Sequence, residues 1–339
     1  MRQFAAPRAK RDLRSSCVYL LSLPLLPFVL PSLPLATEIV IMTIASLSCY
    51  LVLAYGPLLS FGQGAFFGIG AYVGAGYALR AKGTVAGDVV FALPISAMAA
   101  AVAALCVGSV ALRRVAGGDG SGAGGLRFLM LTFAVAQVAY FCAYNLPQLT
   151  GGENGLLDVP RLPAFAIRWF TTPGGFYVVC AAVLAVLVVG MEIAANSVIG
   201  LGFKAVTESE HRAAAVGYRV FWMRLALFTT AGAIAGIAGC LYASFLGLVP
   251  LSAIDVRQSE SIVVATILGG VGAPLGPLLG TICLTLGGDL FSKVWPHWPF
   301  AVGAIIVLVV FFARGGLWGL IERATAIRII RAGHKATAP

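Results

Sequence analysis

Thr207-Glu208-Ser209-Glu210-His211-Arg212-Ala213-Ala214-Ala215-Val216-Gly217 is a short polar insert between two long apolar blocks, roughly 174–195 and 223–246. Its residue types spell a helix. Thr207 followed by Glu210 fits a capping box, and Glu208 and Glu210 put negative charge at the positive end of the helix dipole. Glu208 and Arg212 stand at a favourable i,i+4 spacing, three alanines favour the middle, and Gly217 closes the end in the left-handed conformation. A short, well-punctuated helix between two spans is either a plain connector or a rigid element that docks on a soluble partner and moves with its spans.

Outward from this insert the chain is almost all apolar. Of 339 residues, 60% are hydrophobic and only 11% charged, too few charges to cover a soluble fold. The apolar blocks fall near 17–35, 38–55, 61–79, 89–112, 127–145, 174–195, 223–246, 258–271, 275–292 and 298–313. Most approach the roughly 20 residues that span a bilayer. The eighth is too short for a straight crossing and is broken, re-entrant or buried. The fold class is therefore all-α: a polytopic membrane bundle of about ten segments, some short or broken, with one helix outside the lipid. Arg8, Lys10, Arg11 and Arg14 ahead of the first block imitate a secretion signal. No clear cleavage site follows, so the block reads as a retained first helix kinked by Pro24 and Pro27. The organisation expected is a basic N-terminus (1–16), a transmembrane domain (17–320) and a basic tail (321–339).

Charge orients the bundle. Alternating the segments from a cytoplasmic N-terminus leaves seventeen Lys and Arg on that side and six on the other. The positive-inside rule then puts both termini and the 207–217 helix in the cytoplasm. The net charge of +10 is dispersed between blocks rather than gathered with aromatics, which argues against nucleic acid. Cys17, Cys49, Cys106, Cys142, Cys180, Cys240 and Cys283 fall singly, with no disulfide or metal-ligand spacing, and read as buried small hydrophobes.

No metal, cofactor or catalytic constellation is implied, and an enzyme is disfavoured. No phosphate-binding loop exists: Gly62, Gly64 and Gly68 lack a following Lys. Any ATPase must be a separate chain. Small-xxx-small pairs recur at Gly64/Gly68, Gly70/Gly74, Gly232/Gly236 and Gly272/Gly276/Gly280, on helix faces that approach closely. Tyr55-Gly56-Pro57 ahead of Ser60-Phe61-Gly62-Gln63-Gly64, and Gly269 to Pro274, interrupt helix geometry where a cavity tolerates exposed backbone. Ser60, Gln63, Gly64, Gly269 and Gly270 are thus the candidate substrate path, with Gln63 its pore-facing polar group. Glu192 and Asp289 read as snorkelling near the two surfaces, and Glu260 as a partner for Arg257. No chain of carboxylates and histidines crosses the membrane, which disfavours a proton-driven carrier.

Leu58-Leu59-Ser60-Phe61-Gly62-Gln63-Gly64-Ala65-Phe66-Phe67-Gly68-Ile69-Gly70-Ala71-Tyr72 resembles the signature segment of branched-chain amino acid ABC transporter permeases of the LivM type. Leu131-Thr132-Phe133-Ala134 with Leu149-Thr150-Gly151-Gly152 and Gly155-Leu156 agree in order. So do Glu208 to Gly217, Ile267-Leu268-Gly269-Gly270-Val271-Gly272 with Gly276-Pro277, and Phe311 to Gly319. The resemblance implies an inner-membrane importer subunit working by alternating access. Its implied partners are a sister permease of the LivH type, two cytoplasmic ABC ATPases and a periplasmic solute-binding protein. It carries the ATPase-coupling role onto Thr207, Glu208, Glu210, His211, Arg212, Ala213 and Gly217. Two departures stand out: the Gly-rich stretch 116–125 replaces a short basic loop, and Gln63 stands where histidine is common. Branched-chain amino acids are the favoured cargo. Urea, short amides or a sugar are alternatives within the superfamily, and an ion-coupled carrier or a non-transporting assembly protein are rivals outside it.

Overall fold

The computed structural model describes residues 32–81, 88–116, 123–161 and 167–294, with scattered positions at 23–30 and 297–319. Much of the expected first segment, most of the tenth and of the Gly-rich stretch, and both charged termini lie outside the described residues.

Among the described residues the chain is helical, with an isolated antiparallel bridge between Leu156 and Val249 and no sheet. The main helices are α1 (Leu33–Tyr55), α2 (Gln63–Arg80), α3 (Val89–Ala116), α4 (Ala123–Asn145) and α5 (Pro173–Asn196). After these come α6 (Val198–Glu208), α7 (Glu210–Ala215), α8 (Val220–Leu246), α9 (Val256–Gly269) and α10 (Leu275–Val294). Five of them, α1, α3, α4, α5 and α8, are long and apolar enough to cross a membrane. The second to ninth expected segments coincide with observed helices except at their ends.

Local signals set the boundaries. Pro34 stands in the first turn of α1, where its missing N–H costs nothing, and Gly56-Pro57 ends that helix. The Thr172 hydroxyl accepts from the Gly175 amide and Pro173 opens α5. Gly247, at φ 72°, closes α8 in the left-handed region.

The core is organised around two helices. In their most apolar stretches α1 is 78% buried and α8 67%, against 28%, 22% and 17% for α3, α4 and α5. The outer three expose Met98, Val102, Met130, Val138 and Val186, as a lipid-facing surface requires. Cys106 and Cys142 lie exposed on α3 and α4. Among the described residues the expectation that every cysteine is buried therefore holds only for Cys49, Cys180 and Cys240, since a bundle in lipid has an apolar outside as well as an apolar core.

Glycines let the inner helices meet. A Cβ on Gly70 would collide with the Gly236 backbone, and one on Gly239 with the Phe67 carbonyl, so α2 and α8 cross in backbone contact. Gly64 and Gly68 instead face Ser259 and Ile254. Gly269 packs on the Gly276 carbonyl and Gly280 on that of Ala265, fastening α9 to α10. Gly272 lies in the turn between those helices rather than on a helix face with Gly276, correcting that part of the spacing argument. At 14 residues α9 rises only about 21 Å, short of the roughly 30 Å hydrocarbon core.

Candidate functional site

Two features stand out at opposite ends of α1 and α8. One is the helix pair that fills the loop between α5 and α8; the other is a cavity.

The loop folds as two helices with a break at Ser209, not as the single helix expected from Thr207 to Gly217. Ser209 is the N-cap of α7, its hydroxyl accepting from the Arg212 amide at 3.4 Å. Thr207 sits in the last turn of α6, and the one proton of its hydroxyl is shared between the Tyr55 carbonyl at 2.7 Å and the Phe203 carbonyl at 2.8 Å. Glu210 does not reach back to close a capping box. Its carboxylate takes both terminal nitrogens of Arg224 on α8, at 3.0 and 2.8 Å. Bidentate pairing of this kind fixes orientation as well as distance. Gly217 ends the element at φ 101°, as its type and position predict. Glu208, His211, Arg212, Ala214 and Ala215 are exposed, Val216 is 79% exposed and Ala213 is buried. The pair is thus strapped to α1 and α8 on one side and open to a partner on the other.

The cavity has a volume of about 450 Å³ and lies among α1, α8, α9 and α10. Glu38 and Met42 of α1, Gln258 and Ser261 of α9, and Thr285 and Asp289 of α10 supply much of its wall. Leu35, Ile262 and Leu284 add apolar surface, and Tyr242 of α8 closes one side. The start of α1, the end of α8, the start of α9 and the end of α10 therefore share one end of the bundle. Deeper in, the Ser46 and Thr281 hydroxyls meet at 3.3 Å, and the Thr266 hydroxyl donates to the Ser46 carbonyl at 3.1 Å. Ser46 and Thr281 themselves line the cavity, and these buried hydroxyls tie the three helices together at its wall.

None of Ser60, Gln63, Gly64, Gly269 and Gly270 lines this cavity. Gln63 is fully buried, its side-chain carbonyl accepting from the Ser48 hydroxyl at 3.2 Å. The Gly64 amide donates to the Ser259 hydroxyl at 3.0 Å, and Ser60 folds back to accept from the Gly62 amide at 3.1 Å. Gly270, at φ 94°, packs on the Gly315 carbonyl. These residues shape the breaks between helices. Asp289, expected to snorkel, lines the cavity, because the end of α10 faces α1 rather than lipid. Sequence reasoning passed over Glu38, Gln258 and Tyr242. Glu38 was visible as a lone acid beginning an apolar block, which was the available signal.

The comparisons with known proteins agree with this architecture. The chain is 24% identical over 247 residues to the high-affinity branched-chain amino acid transport system permease protein LivM of Escherichia coli (strain K12), covering 66% of this chain and 56% of that one. Its match to LivM of Salmonella typhimurium has the same extent. It is 27% identical over 162 residues to the autoinducer 2 import system permease protein LsrC of Photorhabdus luminescens, covering 45% of this chain and 49% of that one. The chain thus spans about half the length of these relatives. No solved structure matches it. The family model described as the permease component of the branched-chain amino acid transport system matches residues 33–321, and the chain belongs to that family.

Proposed function

We propose that the chain is a transmembrane permease subunit of an ATP-driven importer for branched-chain amino acids or related small polar solutes. Separate ABC ATPases bind the exposed face of α6–α7 in the cytoplasm. A sister permease completes the pore, and a periplasmic binding protein delivers solute at the opposite end of the bundle. Both termini are cytoplasmic, and the membrane is the bacterial inner membrane. The chain is one membrane domain with short charged ends.

The observation that carries this reading is the double strap on the loop helices. The Thr207 hydroxyl holds the end of α1 and Glu210 holds Arg224 of α8. Both α1 and α8 also border the cavity. Movement of the ATPases would drag α6–α7, and the straps would pass that motion into two cavity walls at once. This is the physical content of alternating access: two arrangements of a packed bundle, biased by a partner that binds them unequally. The ranking of cargo rests on the LivM relatives; the LsrC relatives and the hydroxyl-bearing cavity wall support a sugar-like solute as a second reading.

The test is reconstitution. The chain, its sister permease, two ATPases and a binding protein should give ATP-dependent uptake in proteoliposomes. Uptake that persists without any ATPase would overturn the reading.

A further inference from the structure

The exposed face of α9 is polar, although this helix starts deep in the bundle. Two contacts set the depth. The Gln258 amide reaches the Met42 thioether at 3.3 Å, nine residues into α1 and about 13 Å along its axis from Leu33. The Ser259 hydroxyl accepts from the Gly64 amide at 3.0 Å, and the neighbouring Gln63 meets Ser48, about 22 Å along the same axis. Since α1 rises about 34 Å in all, the first turns of α9 lie toward the middle of a helix long and apolar enough to cross a membrane.

Arg257, Glu260 and Ser261 stand at i, i+3 and i+4, so they share one face of α9, and all three are exposed. Arg257 and Glu260 form no ion pair with each other or with any described group, so the pairing expected from sequence is absent. The Ser261 hydroxyl turns back on its own helix and donates to the Arg257 carbonyl at 3.0 Å. Among the described residues, none of the exposed large apolar side chains belongs to α9, whereas α3, α4 and α5 present Met98, Val102, Met130, Val138 and Val186. A charged side chain in hydrocarbon costs about 2.5–3.5 kcal/mol by insertion scales, and this face carries two. Such groups face the interior of an assembly or water. Ser261 points to water, because it also lines the cavity of about 450 Å³, together with Gln258 one turn before it. A polar-walled space of that size is roomy enough to fill with water, and the exposed stripe continues its surface.

We propose that the face of α9 carrying Arg257, Glu260 and Ser261 is a wetted wall of the translocation path, with water as its ligand. Apolar constrictions in pores close by dewetting. Two fixed charges of opposite sign keep this stretch hydrated without adding net charge to it. The path runs along α9 and meets the cavity at Ser261. This inference rests on the importer reading and deepens it, by naming the surface along which a polar solute passes.

Cysteine accessibility in the assembled permease complex in lipid nanodiscs tests this. In a background free of native cysteines, Ser261→Cys, Glu260→Cys and Arg257→Cys are each treated with a charged methanethiosulfonate reagent, with and without ATP. Glu153→Cys, exposed in the loop after α4, gives the rate of a solvated thiol, and Met130→Cys and Val138→Cys give that of the apolar outer surface. In at least one nucleotide state the three α9 thiols should react within about tenfold of Glu153→Cys and about a hundredfold faster than the α4 pair, because the thiolate is the reacting species and apolar surroundings suppress it. Rates as low as those of the α4 pair in both states would overturn the proposal, whether lipid or another subunit covers the face. Arg257→Leu with Glu260→Leu should slow labelling of Ser261→Cys about tenfold or more through dewetting, and an unchanged rate would overturn the role given to the charges. Ser261→Cys replaces one atom, so it reports even where removing a charge impairs assembly. ATP-dependent uptake with unreactive α9 thiols sinks this inference alone, whereas uptake that needs no ATPase sinks the importer reading.

Discussion

The Thr207 hydroxyl and the Tyr55 carbonyl lie 2.7 Å apart although 152 residues separate them in the chain. The contact joins the end of α6 to the last residue of α1. From Tyr55 to Glu38 the helix runs about 25 Å at 1.5 Å per residue, so the same rigid body carries the strap at one end and a cavity acid at the other.

Removing the strap should uncouple rather than unfold. Thr207→Val keeps the shape and deletes a hydrogen bond worth about 1 kcal/mol net. We expect uptake per ATP hydrolysed to fall about fivefold. Thr207→Ser should retain coupling. The check is parallel measurement of ATP hydrolysis and solute uptake in proteoliposomes.

The ion pair makes a second prediction. Arg224 is 14% exposed and Glu210 46%, so solvent moderates the pair without abolishing it. Glu210→Lys faces Arg224 with a like charge and should abolish stimulated ATP hydrolysis and uptake while membrane insertion persists. The swap of Glu210→Arg with Arg224→Glu should return a measurable part of both activities, because the pairing is restored in reverse.

Backbone packing between α9 and α10 is testable by adding one methyl. A Cβ on Gly269 would strike the Gly276 carbonyl, whereas nothing lies within 4 Å of one on Gly76. Gly269→Ala should cost about 3 kcal/mol or prevent assembly, as overpacking against backbone does. Gly76→Ala should be neutral or stabilising by up to about 1 kcal/mol. Thermal unfolding in detergent separates the two.

Gly217 isolates a purely conformational effect. Its φ is 101° and no neighbour lies within 4 Å of an added Cβ. Gly217→Ala should cost about 1–2 kcal/mol through backbone strain alone. That cost falls on the loop helices, so stimulated ATP hydrolysis should drop while the melting of the bundle stays unchanged.

These residues also show how far the sequence could be read. Apolar blocks located the described spans because lipid demands long uninterrupted runs. Gly217 was recognisable as a stop because few residue types tolerate a positive φ. The break at Ser209 was not recognisable. Thr207 and Ser209 are both good caps two residues apart, and tertiary partners decided between them: Tyr55 took the Thr207 hydroxyl and Arg224 took the Glu210 carboxylate. Gln63 reads as a pore group because it is polar at membrane depth; in the fold its carbonyl oxygen accepts from Ser48 on the preceding helix, while its amide nitrogen is buried without a hydrogen-bond partner. The cavity was out of reach altogether. Glu38, Gln258 and Asp289 are brought onto one wall by packing of α1 against two helices more than 200 residues further along the chain, which no local pattern encodes.

The central claim is that motion of α6–α7 reaches the cavity through Thr207. Its most direct measurement is the thiol-labelling rate of Ser46→Cys, in the cavity wall, in a background free of other cysteines. The rate is compared between the nucleotide-free and ATP-bound assembled complex. The account predicts a clear change on ATP binding that Thr207→Val flattens and Thr207→Ser preserves. An ATP-dependent change that survives Thr207→Val at full size would contradict it.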